Sequence, residues 1–330
     1  MTKPARQSPR KIPEPVRRML GQHNAVRVAG VVLVMACVAC TAPAGPRPSA
    51  TTAGFGRTVI TVGSFDFPES ALLAYLYAGA LSAKGYRARV LPDLGSRELV
   101  DSALMTGLIE LVPEYAGSAL EFVSVGRAHA TASVTATSRA LAIWVKGRGL
   151  ITAHPAAAQD NNAIVVTSVT AARYRLRTIS DLARVAPGLV FGGPPECPQR
   201  PYCAKGLQQT YRLRFRAFAA LDAGGPLTRQ ALVSGQIGVA LLFTTDPAIH
   251  AQHLVVLADN RSLQPAENVV PVVRRATADR YGSGLLAALN AVSARLSTPA
   301  LTELDAQVQL NGRAPAAVAG SWLKGRGLAP

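Results

Sequence analysis

Aromatic residues are scarce in this chain, because Trp, Tyr and Phe together make up 5% of its 330 residues. Cysteine and histidine are also rare, with four and five copies. Several catalytic motifs are missing: the chain has no Gly-x-Ser-x-Gly elbow, no His-Glu-x-x-His, no phosphate loop and no dinucleotide-binding glycine pattern. No nucleophile is paired with a base in a known pattern. We therefore predict a protein that is not an enzyme and that uses no cofactor or metal.

Positive charge is in excess, but it is not gathered into a run. The formal net charge is +16, and the first 39 residues contribute +6 of it through seven Lys or Arg and one acid. The remaining +10 is spread thinly along the chain. No basic stripe is interleaved with aromatic residues that could stack on bases, so nucleic-acid binding is not expected.

The order of apolar segments predicts an α/β protein. Apolar residues make up 49% of the chain, which is ample for a large core, and the length suggests two domains. Short apolar strands such as residues 59–62 and 88–91 alternate with helical patterns, which favours parallel sheets. A second series of strands and helices covers roughly residues 160–260, and the last sixty residues are mainly helical. One lobe is therefore predicted to be inserted into the other.

The N-terminal segment is typical of an export signal. Residues 28–39 are small and apolar, follow a basic leader and are too few to span a membrane. Cys37 and Cys40 follow small residues, as in a lipobox, and the residues before Cys40 fit that pattern better. We predict a lipoprotein signal peptide with Cys40 lipidated, or alternatively Cys37, and a location on the extracytoplasmic face of the cell membrane. An ordinary cleaved signal and a start at Met19 remain alternatives.

The other two cysteines are close together in the sequence. Cys197 and Cys203 enclose five residues, and in an exported protein such a pair is a natural disulfide candidate. A metal site is less expected there, since none of the histidines stands at ligand spacing to this pair.

Residues 108–118 predict a binding loop. The apolar run 108–112 reaches Pro113, which cannot donate to a strand ladder, and we expect the strand to end there. Glu114, Tyr115 and Ser118 follow directly, and ligands bind beyond the carboxyl ends of strands in open α/β sheets. A helix that begins near Gly117 would point its free N–H groups into the same crevice.

Six separated segments resemble one family in their order and spacing. They are ITVGSFDFPES (60–70), LGSREL (94–99), LVPEYAGS (111–118), FGGPPE (191–196), ALVSG (231–235) and TTD (244–246). The chain resembles the substrate-binding proteins of ABC importers for osmoprotectants, the glycine betaine, carnitine, choline and proline class. The resemblance covers roughly residues 57–328.

This resemblance implies a two-lobed α/β fold of the periplasmic-binding-protein type II, with a ligand cleft between lobes joined by two crossings. Its implied partners are a small osmolyte and the permease subunits of an ABC importer, and the chain is expected to act as a monomer that closes about a hinge. The expected segments are a signal peptide (1–40), a flexible tether (41–56), the first part of lobe 1 (57–160), lobe 2 (161–260) and the return to lobe 1 (261–330).

The resemblance also implies a ligand site. In this family a quaternary ammonium lies in a cage of tyrosines, held by cation–π attraction, while an arginine and hydroxyls bind the carboxylate. Tyr115 matches a cage tyrosine, Ser118 a carboxylate-binding hydroxyl, and Arg200 the arginine, which a disulfide between Cys197 and Cys203 would hold in place. The predicted ligand-binding residues are Phe65, Tyr115, Ser118, Asp160, Asn162, Arg200, Phe243, Thr245 and Glu267.

Several of these positions depart from the family pattern. Phe65 stands where family members with a strong betaine site often have lysine, and the other cage tyrosines fall near Asn162, Phe243 and Glu267. One interpretation is that Asp160 and Glu267 replace aromatic faces by direct attraction to a cation. The alternative is a protein of the same fold that binds a larger, aromatic or less charged ligand. An enzyme is a third possibility and would depend on those same two acids.

Overall fold

The computed structural model describes residues 59–330. The predicted signal peptide, the tether and the lipidation sites at Cys40 and Cys37 lie outside the described residues. Within the described part of the chain, no helix is both long enough and apolar enough to cross a membrane.

The strands are short and are distributed along the whole described chain. They are β1 (Ile60–Gly63), β2 (Ala88–Leu91), β3 (Leu111–Tyr115), β4 (Leu150–Thr152), β5 (Asn162–Thr167), β6 (Val190–Gly193), β7 (Ala217–Ala220), β8 (Val239–Phe243), β9 (Leu254–Val256) and β10 (Val269–Arg274).

The helices alternate with these strands and then dominate the C-terminal part. They are α1 (Pro68–Ala83), α2 (Arg97–Thr106), α3 (Ala116–Val123), α4 (Val134–Lys146), α5 (Ser168–Tyr174), α6 (Ala204–Tyr211), α7 (Pro226–Val233), α8 (Ala248–Ala251), α9 (Arg275–Tyr281), α10 (Ser283–Ser293), α11 (Thr298–Gln309) and α12 (Pro315–Gly325). Short 3₁₀ helices cover Ile179–Arg184, Ala186–Gly188 and Cys197–Gln199.

The strands form two five-stranded sheets with mixed directions. The first sheet has the order β2-β1-β3-β10-β4 and the second has the order β7-β6-β8-β5-β9. In the first sheet β10 runs antiparallel to β3 and β4, and in the second β5 runs antiparallel to β8 and β9. The chain therefore passes from the first sheet to the second after β4 and returns after β9. Each sheet with its packed helices is called a lobe below, and the predicted two-lobed α/β fold with two crossings is confirmed.

The two lobes have separate hydrophobic cores. In the first lobe α1 is apolar on nearly all sides and is buried along most of its length, which is typical of a helix that runs through a core. Pro68 at its first turn and Glu69 beside it match the preferences of a helix start. The second sheet is covered on both faces, with one apolar cluster around Phe191 and another around Leu242.

The prediction that the third strand ends at Pro113 is wrong. Strand β3 continues to Tyr115, and Pro113 lies opposite Pro271 of β10. Because Ala116 N donates to Asn268 O, the alternation of an antiparallel ladder places Pro113 at a pair that exchanges no hydrogen bonds. The missing N–H of the proline therefore leaves the ladder with β10 intact.

Candidate ligand-binding cleft

A cavity of about 710 Å³ lies between the two lobes, beyond the ends of β3, β6 and β8. Of the nine predicted ligand-binding residues, eight line it: Phe65, Tyr115, Ser118, Asp160, Asn162, Arg200, Phe243 and Glu267. Thr245 lies instead on a separate space of about 10 Å³, next to Phe67 and Glu69. The structure thus gathers residues that are up to about 200 positions apart in the sequence into one cleft.

Glu267 caps the N-terminus of α3 from just before the start of the neighbouring strand β10, in the same lobe. Its carboxylate accepts hydrogen bonds from the backbone N–H groups of Gly117 and Ser118, at 2.9 and 3.0 Å, and from the Ser118 hydroxyl at 2.5 Å. Gly117 permits this approach, since a Cβ there would stand 2.5 Å from Pro265 Cγ. Burial raises the pKa of Glu267 to about 7, although these hydrogen bonds and Arg97 favour its charged form. The helix N-terminus predicted to face the ligand is therefore already occupied by a carboxylate.

Phe67 is the centre of the aromatic wall of the cleft. Its ring centroid lies 5.9 Å from that of Phe65, 6.0 Å from that of Tyr115 and 5.2 Å from that of Phe243. Sequence reasoning missed Phe67, although it stands in the segment that carries the family resemblance. The sequence feature that could have identified Phe67 is its position two residues after Phe65 and directly before Pro68, where a helix starts.

Arg97 lies over the ring of Phe65 and adds a cation to this wall. The guanidinium carbon lies 5.1 Å from the Phe65 ring centroid, and the guanidinium forms a two-point ion pair with Glu114 at 3.0 to 3.2 Å. Sequence reasoning did not identify Arg97. Phe65 therefore contacts both a ring and a cation and is buried, as is Tyr115, so the half-buried rings of the cleft are those of Phe67 and Phe243.

Arg200 lies in the loop that the predicted disulfide closes. The bond between Cys197 and Cys203 is formed, with the two Cα atoms 5.2 Å apart, which confirms that pairing. The Arg200 guanidinium donates to both oxygens of Glu98 on α2, at 2.8 and 2.9 Å. Since Arg200 belongs to the second lobe and Glu98 to the first, this ion pair bridges the cleft.

The floor of the cleft contains a cluster of buried carboxyl groups. Glu69 accepts hydrogen bonds from the Tyr115 hydroxyl at 2.5 Å and from the Thr245 hydroxyl at 2.6 Å, so it connects the two lobes. Asp160 accepts from Thr245 N at 3.1 Å. Burial and the neighbouring Glu69 raise the pKa values of Asp160 and Asp305 well above their usual range. Asp160 and Asp305 therefore keep their protons to higher pH than exposed aspartates do, and a cation bound nearby would lower their pKa values.

Asn162 and Phe243 stand side by side at the ends of β5 and β8, two interior strands of the second sheet. They are paired in the ladder between β5 and β8, at the end that faces the cleft. The Asn162 side chain donates to the carbonyl of Tyr202 at 3.0 Å and so is tied to the disulfide loop. Asn162, near which the resemblance places a family tyrosine, thus holds the backbone of Tyr202.

The charge of the cleft lining is negative. Seven acidic and four basic side chains line the cavity. Three of the basic ones, Arg97, Arg148 and Arg200, already form ion pairs with carboxylates. The acids that line the cavity without forming an ion pair to Lys or Arg are Asp66, Glu121, Asp160, Glu196 and Glu267. Such a lining attracts cations more than anions.

Comparison with known proteins gives a consistent family. The model of the family described as "Substrate binding domain of ABC-type glycine betaine transport system" matches residues 58–325. The glycine-betaine-binding protein of Pseudomonas aeruginosa is 27% identical over 276 residues, which cover 80% of this chain and 87% of the relative. An ergothioneine transport permease and binding protein of Helicobacter pylori is 27% identical over 165 residues, which cover 50% of this chain and 29% of the relative.

Among solved structures, one described as a glycine betaine/carnitine/choline ABC transporter is similar in fold. Its TM-score is 0.64 at 22% sequence identity, and the match covers 82% of this chain and 99% of that one. The described part of this chain therefore has the same architecture as a complete solved chain.

Proposed function

Because the chain belongs to the family of substrate-binding domains of ABC-type glycine betaine transport systems, we propose that it captures a small quaternary-ammonium osmolyte and delivers it to a membrane permease. The ligand is a cation or zwitterion of the choline and glycine betaine class. Closure of the two lobes around it produces the form that the permease accepts.

The observation that carries this proposal is the pairing of an aromatic wall with a negative lining. Phe67, Tyr115 and Phe243 line the cavity, and quaternary ammonium groups bind aromatic rings by cation–π attraction. Asp160 and Glu267 add negative charge once a cation lowers their raised pKa values. The arginines of the lining are already paired with carboxylates, which favours a cation such as choline over a ligand with a free carboxylate.

Contacts across the cleft support closure as part of the function. The ion pair of Arg200 with Glu98 and the hydrogen bond of Thr245 with Glu69 each join one lobe to the other. A ligand seated between the lobes adds contacts to both, and so shifts the population toward the closed form.

We also propose the location and segment boundaries expected from the sequence. The chain acts outside the cytoplasm, with Cys40 (or Cys37) as a lipid anchor after a signal peptide (1–40) and with a tether (41–56). Lobe 1 then comprises residues 57–160 and 261–330, and lobe 2 comprises residues 161–260. The strands of the two sheets fall within these ranges, which supports the division. Mass spectrometry of the membrane-extracted N-terminal peptide would identify the modified cysteine.

The direct test is calorimetric titration of the chain with choline, glycine betaine, carnitine and proline. We expect binding of at least one quaternary ammonium compound, with choline tighter than proline, because proline has no methylated ammonium to place against the rings. If none of the four ligands produces heat at millimolar concentration, the osmolyte assignment is wrong.

A second candidate is a larger betaine that carries a flat ring. The cavity volume of about 710 Å³ is within the range of pockets for drug-sized ligands, and one partial relative is named as an ergothioneine-binding protein. A thermal-shift comparison of ergothioneine with choline separates the two, since only a ligand that binds the folded form raises the melting temperature.

A further inference from the structure

The fold gathers most of the excess positive charge of the described chain on one lobe. Residues 59–330 contain 26 Lys or Arg and 18 Asp or Glu, an excess of eight. The layer that covers one side of the second sheet, residues 168–189, 204–216 and 257–263, contains nine of these basic residues and two acids. Eight arginines of this layer are called the basic face here: Arg173, Arg175, Arg177, Arg184, Arg212, Arg214, Arg216 and Arg261.

Two short segments explain how the arginines come to project together. In residues 174–177 and 211–216, apolar side chains alternate with arginines: Tyr-Arg-Leu-Arg in the first and Tyr-Arg-Leu-Arg-Phe-Arg in the second. The apolar members of both segments, including Leu176, Tyr211 and Leu213, pack into the same cluster beneath the layer. Because both segments direct their alternate residues into one core, the intervening arginines of both point outward on the same side.

The basic face is exposed and its charge is not neutralised. All eight arginines are exposed, and none of them forms an ion pair with a carboxylate among residues 59–330. The carboxylates of the two acids in this layer accept hydrogen bonds from backbone N–H groups. Asp181 accepts from the N–H groups of Arg177 and Thr178, and Asp259 accepts from those of Leu263 and Gln264.

We propose that the basic face binds the phosphate groups of an anionic phospholipid bilayer. Guanidinium groups pair well with phosphate, and several cations on one surface attract a charged membrane additively. The aromatic residues of the two segments, Tyr174, Tyr211 and Phe215, pack against the core and are not exposed among the arginines, so they do not form a stacking surface for nucleic-acid bases. The family belongs to ABC-type transport systems, and the proposed function brings this chain to a membrane permease, so a bilayer is the surface that it meets there.

The position of the basic face leaves the ligand cleft accessible. Arg216 N bonds to the carbonyls of Ala186 and Leu189, just before β6 and β7 begin. The cavity lies beyond the opposite ends of β6 and β8. A membrane bound at the basic face would therefore hold the second lobe without covering the cleft, and this inference does not depend on which ligand is bound.

The test is co-sedimentation of the full chain, without added ligand, with phosphatidylcholine vesicles that contain about one third phosphatidylglycerol or none. The face variant carries Arg→Gln changes at Arg175, Arg177, Arg212 and Arg214. The control variant carries the same change at four exposed arginines elsewhere: Arg127, Arg139, Arg295 and Arg326. We expect the face variant to lose at least about ten-fold in affinity for the anionic vesicles and the control to lose less than about three-fold.

Hydrogen–deuterium exchange shows whether the vesicles contact the basic face or the basic N-terminal residues. The N-terminal residues are the same in the wild type and in both variants. Anionic vesicles should protect residues 173–184 and 211–216 in the wild type, and the protection should fade as salt is raised to about 0.5 M. Equal binding by the face and control variants, or protection confined to other residues, would show that the proposal is wrong. If the wild type binds duplex DNA as tightly as it binds the vesicles, and the face variant loses both, the basic face recognises polyanions in general and the proposal of a bilayer is wrong.

Discussion

At the scale of single residues, Phe67 controls how much aromatic surface the cleft presents. It contacts three other rings, whereas Phe65 is buried against Arg97 and Phe67. We expect Phe67→Leu to weaken choline binding by about ten-fold, because a cation–π contact is lost while apolar volume is largely kept. Calorimetric titration measures the loss.

The control for Phe67 is Phe218→Leu, at a half-buried ring that packs against Phe191 in the second lobe. This variant should bind choline as the wild type does. If both variants bind equally, the ammonium group does not lie against Phe67.

Phe67 and Arg97 could not be predicted as site residues for one physical reason. Tyr115 and Ser118 follow a recognisable strand and could be located, but Phe67 and Arg97 acquire their roles only through contacts between elements. Phe65 and Phe67 lie in the short connection between the end of β1 at Gly63 and the start of α1 at Pro68, where neither the strand period nor the helix period predicts the direction of a side chain.

At the scale of elements, the alternation of strands and helices predicted the α/β fold and its two crossings. It did not predict the course of β3, because whether a proline interrupts a strand depends on the hydrogen-bonding register with its neighbour. Pro113 is tolerated because it lies opposite Pro271 in a strand that arrives more than 150 residues later. Register of this kind is set by the return of the chain and cannot be read from a local pattern.

The disulfide loop is the element whose removal is simplest to test. Cys197 and Cys203 close a short loop that carries Arg200 and supplies the Tyr202 carbonyl to Asn162. We expect the double change Cys197→Ser and Cys203→Ser to lower the free energy of unfolding by about 2 kcal/mol, since the unfolded chain regains loop entropy. Urea unfolding measures this difference.

The matched control for the double variant is the wild type with its Cys197–Cys203 disulfide reduced. The reduced wild type should unfold at the same urea concentration as the double variant, and both below the oxidised protein. Equal unfolding midpoints for the oxidised protein and the variant would mean that the bond does not contribute to stability.

At the scale of the whole molecule, the two kinds of charge are separated. Acidic side chains line the cleft between the lobes, and exposed arginines cover the outer layer of the second lobe. The sequence shows the same charges spread thinly, because residues distant in the chain are collected only by folding. The buried acids Asp160 and Asp305 then lie near Glu69, whose hydrogen bond with Thr245 joins the lobes, and the ionisation of these two aspartates is linked to the stability of the folded molecule.

Asp305 gives the clearest pH prediction. Burial and the nearby carboxyl groups of Glu69 and Asp160 raise its pKa, so the folded protein keeps a proton that the unfolded chain releases at about pH 4. Its contribution to stability is complete below that pH and is lost as the pH rises through the higher folded pKa. We therefore expect Asp305→Asn, which cannot ionise, to reduce the fall in unfolding free energy between about pH 5 and about pH 8. Urea unfolding at both pH values measures this fall in stability. The control is Asp279→Asn at an exposed helix position, which should leave the fall unchanged. An identical fall in all three proteins would mean that Asp305 is ionised in the folded state.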